Sequence, residues 1–347
     1  MVAPKLTILD SKKDMFEYED GCSTGYEVNE LNKKAMGGTE LMMHGLYSRV
    51  DKDLLDQFQI IPSRVRKLDG TKKRILWCHD LADDGEVQFL KNGGWSHFDK
   101  LVFVSHWQQQ DYQTKLGVPP SMCHVLQNAI NPIAEHEKPD VNEQLNLVYF
   151  STPHRGLDIL YPVFEHMKQE YWQDMNVKLH VYSSFNLYGW KERDEQFQPL
   201  FDQLEEHPDI EYHGAVTNDK IHEALKDMHV FAYPSTWPET SCICLMEAMS
   251  AGLVCVHSAF AGLPETAANW TMMYPYHEDK NAHANIFAQN LFNSVRMLKE
   301  GSLEQRLGMQ KVYANSFYTW ETRAMQWDMF LNTFLQEDNN ESGGVGS

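Results

Sequence analysis

The 347-residue sequence predicts an α/β protein of two domains, each built on a parallel β-sheet covered by helices on both faces. Two observations carry this. Short apolar runs rich in β-branched and aromatic residues alternate with amphipathic stretches of helical period, and the alternation starts afresh halfway along the chain. Length agrees, because single hydrophobic cores stop growing beyond about 250 to 300 residues.

In the first half, strands are expected at residues 6–9, 58–61, 74–77, 101–104 and 124–126, with helices at 39–50 and 107–116. Residues 131–144, NPIAEHEKPDVNEQ, are polar and hold two prolines, the character of an inter-domain linker. Domains are therefore drawn at 1–135 and 145–315. In the second half, strands fit 145–150, 178–182, 210–213, 230–233 and 253–256, and helices fit 158–170, 194–206, 219–228 and 241–251. Residues 302–336 read as helix, with Trp320 and Trp327 seven residues apart on one face. The remaining segment, 337–347, has nothing to bury and is expected to be disordered.

Composition narrows the function. Thirty basic against 49 acidic residues leave a net charge of −19, a field that disfavours polyanionic partners. A basic stretch, Arg64-Val65-Arg66-Lys67 with Lys72-Lys73-Arg74, is the one place that could offer nucleic acid a groove. No apolar run reaches the roughly 18 to 20 residues of a membrane span. The N-terminal apolar stretch meets charges at once, unlike a signal peptide. Six scattered cysteines without a C-x-x-C pair argue against a disulfide or zinc framework and for a reducing cytoplasm. The histidines show no H-E-x-x-H or comparable spacing, so no metal is expected; G-x-S-x-G and Walker A elements are also missing from the sequence.

The richest stretch runs from Tyr233 to Gly252, YPSTWPETSCICLMEAMSAG. A strand ends at Tyr233, a proline-bearing turn follows, and a helix begins near Ser241. Cys242, Leu245, Met246 and Met249 recur at i, i+3, i+4, i+7 and mark its buried face, while Gly252 is the expected C-terminal stop. A helix opening at the carboxyl end of a parallel strand offers free N–H groups and the positive end of its dipole to an anion. Glu239 precedes this helix and Glu247 lies within it, with seven residues between them.

This stretch resembles the E-x7-E signature of glycosyltransferase family 4, retaining enzymes of the GT-B fold, down to the EAM-x-x-G that follows the second glutamate. Ala261-Gly262-Leu263-Pro264-Glu265 is similar to the family's G-x-P-E turn. The resemblance implies two Rossmann-like domains facing across a cleft, with the helix at 316–336 crossing back to the first. It implies transfer of a sugar from a nucleotide-sugar donor with retention of configuration, usually without a metal. Glu239 would touch the donor sugar, with Thr240 and Ser241 beside it in the turn, and Glu247 the ribose. In STPHRGLDIL, Arg155 would clamp the diphosphate, as a guanidinium suits two phosphate oxygens. The family commonly has another arginine about five residues earlier, where this chain has Phe150, Ser151 and Thr152. Gly37, Gly38 and Thr39 resemble the glycine loop of the first domain, whose backbone N–H groups approach phosphate. Gln127-Asn128-Ala129-Ile130-Asn131 resembles the element before the linker. His79, at the carboxyl end of a strand, corresponds to a histidine near the transferred sugar. The expected partners are a nucleotide sugar and an unidentified glycan, lipid-linked or protein acceptor. The alternatives are a DNA-modifying sugar transferase and a binding relic without turnover.

Overall fold

In the computed structural model, residues 16–18 and 37–343 are described, with side chains up to Gln336. The strand expected at 6–9 lies outside them. The described residues form two compact units, one of 16–18, 46–126 and 325–343, the other of 37–45 and 127–324.

The first unit holds β1 (Glu17–Tyr18), β2 (Phe58–Pro62), β3 (Lys67–Leu68), β4 (Lys73–Cys78), β5 (Lys100–Phe103) and β6 (Cys123–Val125). Strands β2-β4-β5-β6 make a parallel sheet in that order, and β1 pairs with β3 alongside. Phe58, Ile60, Ile61, Ile75, Leu76, Trp77, Leu101, Val102 and Phe103 are all fully buried, the continuous apolar runs of strands covered on both faces. Helix α1 (Gly38–Tyr47) falls mostly in the second unit, whereas in the first α2 (Lys52–Leu55) precedes β2 and α3 (His106–Leu116) follows β5. Ser105 caps α3 through its hydroxyl, which accepts from the Gln108 N–H at 3.0 Å, and Gly117 ends it at φ +69°.

Strand β3 falls within the basic stretch. Its Leu68 is fully buried, and the basic residues around it are paired: Arg64 with Asp80 at 3.8 Å, Arg66 with Glu86 at 3.2 Å, and Lys73 over the Phe334 ring at 4.0 Å. Three basic side chains of the stretch are thus engaged within the first unit.

The second unit carries β7 (Leu145–Phe150), β8 (Val177–Tyr182), β9 (Ile210–Tyr212), β10 (Val230–Tyr233), β11 (Val254–Ser258) and β12 (Met272–Tyr274). All pair in parallel, in the order β12-β11-β10-β7-β8-β9. Counted from β7 this is 3-2-1-4-5-6, the doubly wound dinucleotide-fold order, and it bears out the predicted α/β class. Helices α4 (Leu157–Glu170), α5 (Gln198–Glu206), α6 (Asn218–Leu225), α7 (Ile243–Ser250), α8 (Leu263–Ala267), α9 (Lys280–Lys299) and α10 (Glu304–Phe317) follow. Strand β12 and helix α9 were not expected; α9 buries His283, Phe287, Leu291 and Val295, a four-residue period, and is capped by Asp279.

Two expectations at the C-terminus need correction. The helix at 302–336 is two helices, α10 and α11 (Trp320–Gly343). They part because another segment takes their backbone: the Ile130 N–H donates to the Tyr318 carbonyl at 2.7 Å, and Thr319 bridges to Ile130. Nor does helix stop at Gln336. Residues 337–342 contain neither proline nor glycine, and α11 runs through them to Gly343. Both tryptophans of the expected face are buried, and Trp327 packs on Trp77 with ring centroids 4.8 Å apart. Among the described residues no helix is long and apolar enough to cross a membrane.

His257 on β11 gives this core a pH dependence. Its ring is fully buried, with Nδ1 2.9 Å from the Ser258 carbonyl and Nε2 2.7 Å from the Thr271 hydroxyl. A carbonyl can only accept, so Nδ1 carries the proton and Nε2 accepts from Thr271. Burial pushes the imidazole down to about 4. The unfolded chain therefore binds the extra proton first, so stability falls as pH drops from about 6.5 to about 4, by up to roughly 3 kcal/mol. Chemical denaturation across that window should show less pH dependence in His257→Gln than in the parent; equal slopes would reject this assignment.

Candidate active site

Strands β7 and β10 lie side by side at the centre of the second sheet, but the chain leaves them in opposite directions along it. Where the winding reverses, the loops after the two carboxyl ends separate and leave a crevice. Residues 151–156 follow β7, and residues 234–242 follow β10.

The two loops touch through backbone. Gly156 closes the Pro153–Arg155 turn at φ +104°, and a Cβ there would stand 2.3 Å from the Pro234 carbonyl oxygen. Only glycine fits both the conformation and the gap. That approach sets Arg155 against Glu239: Nη1 donates to Oε1 at 2.9 Å and to Oε2 at 3.1 Å. The Tyr233 hydroxyl donates to Oε1 at 2.5 Å. Glu239 is 5% exposed, so its charge is held by these donors rather than by water. The Arg155 Nε is buried with no partner among the described residues, which leaves one edge of the guanidinium fork available.

Gly262 holds the turn from the other side. Its N–H donates to the Glu239 carbonyl at 2.8 Å, and a Cβ would lie 2.6 Å from the Thr240 carbonyl oxygen. The G-x-P-E-like turn thus packs backbone to backbone on the Glu239 loop. Helix α7 begins at Ile243, two residues later than expected, and Ser241 is buried ahead of it with its carbonyl accepting from the Asn128 amide at 3.3 Å. Gly252 ends the helix at φ +70°, with Gly252 N–H bonded to Met249 and Leu253 N–H to Ala248, a Schellman stop.

Glu247 sits further along, inside α7 and 3% exposed; its Oε1 accepts from Asn218 at 2.8 Å and lies 2.9 Å from His222 Nε2. Burial opposes a charge on His222, but the Glu247 carboxylate outweighs it and raises the imidazole above its ordinary range.

The glycine segment belongs to this unit by its contacts. A Cβ at Gly37 would stand 2.3 Å from the Tyr188 ring, and one at Gly38 3.2 Å from Ile243. Thr39 is half-buried in the first turn of α1. Sequence order places these glycines in the first domain, but their neighbours are the 185–188 turn and α7. Gln127-Asn128-Ala129-Ile130-Asn131 also runs along the site, with Gln127 donating to Glu265 at 3.1 Å and Ile133 N–H to Ser250 at 2.8 Å. So Arg155, Glu239, Thr240, Ser241, Glu247, Gly37 and Gly38 share one unit. His79 lies in the other, at the end of β4, where burial pushes it down to about 3 and keeps it neutral.

Several side chains escaped sequence reasoning. Tyr233 looked like a strand-end core residue. His154 stacks on Phe185 at 5.2 Å and meets Trp237 edge-on at 4.7 Å; burial, with Arg155 and Arg193 nearby, pushes it down to about 4. Arg193, held over the Trp190 ring at 4.3 Å, is a second guanidinium near the turn. Its only sequence signal is the aromatic-cation pair W-K-E-R. Among the described residues His180, Glu211 and His213 could hold a metal, and that group shares no residue with this site.

Comparison with known proteins agrees with the geometry. Residues 133–289 match the family model described as Glycosyl transferases group 1. One component of the human phosphatidylinositol N-acetylglucosaminyltransferase is 21% identical over 231 residues, which cover 65% of this chain and 44% of that protein. The chain therefore spans less than half the length of this curated relative. Among solved structures, a glycosyltransferase from Rickettsia africae ESF-5 superimposes with a TM-score of 0.62 at 11% identity, covering 88% of this chain and 84% of the other. Anabaena Alr3699/HepE, solved in complex with UDP-glucose, gives 0.59 at 13% identity, covering 85% and 82%. The fold is GT-B, and residues 133–289 are similar to glycosyl transferases of group 1.

Proposed function

We propose that this chain, a family 4-like glycosyltransferase by its second unit, transfers a sugar from a nucleotide-sugar donor to an acceptor with retention of configuration. The observation that carries it is the Arg155–Glu239–Tyr233 cluster at the reversal of winding between β7 and β10. Arg155 and the N-terminal N–H groups of α7 would stabilise the departing diphosphate, the charge that develops as the glycosidic bond breaks. Glu239, held on edge by Arg155 and Tyr233, would accept hydrogen bonds from donor-sugar hydroxyls. Glu247, set by Asn218 and His222, would face the ribose. The UDP-glucose bound by HepE makes uridine diphosphate sugars the first donors to try. A DNA acceptor has less support, because Arg64 and Arg66 are engaged by Asp80 and Glu86. A relic without turnover would have no need of a buried carboxylate held by Arg155 and Tyr233 at Glu239.

Purified protein, screened against nucleotide sugars by thermal shift, should be stabilised by one class through mass action, about 2.7 kcal/mol at a hundredfold excess over Kd. The stabilising donor should then be consumed in a transfer assay. No D-x-D element faces the proposed diphosphate, so turnover is expected to persist in excess chelator. Stabilisation by no nucleotide sugar rejects the donor assignment, and loss of turnover on chelation rejects its metal independence.

A further inference from the structure

Three ligand-bearing side chains meet at the edge of the second sheet, on β8 and the edge strand β9. Parallel pairing sets His180 opposite Glu211, and His213, two residues beyond Glu211, points from the same face. His180 Nδ1 lies 3.4 Å from His213 Nε2 and 3.4 Å from Glu211 Oε2, and His213 Nε2 lies 3.9 Å from the same oxygen. A point equidistant from three atoms so spaced is about 2.1 Å from each, the length of zinc–nitrogen and zinc–carboxylate bonds. That point lies in the plane of the three atoms; raised about 0.7 Å out of it, as a tetrahedral face requires, it is about 2.2 Å from each, still within reach of zinc–ligand bonds without any movement of the backbone.

The surroundings suit a dication. Tyr182 stacks on His213 with centroids 4.2 Å apart and planes within 7°, and the two imidazoles lie within 6° of parallel. His180 Nε2, the nitrogen turned away from the triangle, is buried without a partner among the described residues. A metal-bound histidine ordinarily gives that second nitrogen to a carboxylate, carbonyl or water. Asp227 and the Asn146 side chain line the same open pocket of about 430 Å³, which has room for water on the metal and behind the ring. Glu211 and Asp227 bring two negative charges to the place where two positive ones would sit.

We propose that His180, Glu211 and His213 form a divalent transition-metal site of the zinc type, with three protein ligands and a fourth position open to water. Two imidazoles and a carboxylate are a borderline donor set, suited to zinc, cobalt or iron and poorly suited to calcium or magnesium. The ion would tie the edge strand β9 to β8. No residue is shared with the Arg155–Glu239 site, so the metal is separate from sugar transfer, and the proposal stands or falls apart from the proposed function.

The test is calorimetric titration of full-length, tag-free, chelator-stripped protein with zinc, and with cobalt followed by visible absorption. One equivalent should bind, cobalt should give the intense bands of a tetrahedral site, and the melting temperature should rise. Glu211→Gln and His213→Gln, both at exposed positions, should each weaken binding by more than about 100-fold, beyond what loss of an outer partner costs. Their metal-free melting temperatures should match the metal-free parent, which separates lost ligation from lost folding. Binding of no ion, or of several weak equivalents unchanged in both variants, overturns the site.

Discussion

Glu239→Gln is expected to cut sugar transfer by about 100-fold or more while leaving nucleoside diphosphate affinity unchanged or tighter. The carboxylate accepts from Arg155 at 2.9 and 3.1 Å and from Tyr233 at 2.5 Å in a site that is 5% exposed. Glutamine keeps the size and one acceptor, so Tyr233 retains a partner, but the amide cannot hold Arg155 as an ion pair. The guanidinium is then freer to turn to phosphate, which is why binding of product should not weaken. Initial rates with the identified donor, beside calorimetry with nucleoside diphosphate, read the two effects separately. Parental transfer by Glu239→Gln would remove the glutamate from the chemistry and with it the reading of the E-x7-E pair.

How much of this was legible in sequence depends on how local each signal is. The strands β7, β8 and β10 and the helix α7 announce themselves through apolar runs and period, because each is buried on its own account. Glu239 and Arg155 could be singled out by motif, yet 84 residues separate them, and no spacing rule shows that they bind each other. That contact depends on the Gly156–Pro234 approach, a property of two loops meeting in space. The same holds for His180 and Glu211, which look dispersed until strand register sets them opposite one another. The break between α10 and α11 is invisible for a related reason: its cause is Ile130, almost 190 residues upstream of Tyr318. Short elements fail differently. Strand β3 has two residues, too few for any periodicity to register.

Arg155→Ala is expected to weaken both donor and nucleoside diphosphate binding by about 10- to 150-fold, the loss of roughly 1.5 to 3 kcal/mol of charge-assisted contact. It should also destabilise the fold, because it leaves the Glu239 carboxylate buried beside Tyr233 without its cation, and breaking one half of such a pair costs up to about 3 to 5 kcal/mol. The side chain is 23% exposed, so solvent should reduce that figure. Binding loss and stability loss must therefore be separated. Arg155→Ala combined with Glu239→Gln removes the uncompensated charge, so its melting temperature should return towards the parent while its diphosphate affinity does not. Arg155→Lys should restore the counter-charge but only part of the affinity, since a point charge replaces a planar fork. Recovery of affinity in the double variant, or parental affinity in Arg155→Ala itself, would show that Arg155 serves only to hold Glu239 and that the diphosphate is bound by other groups.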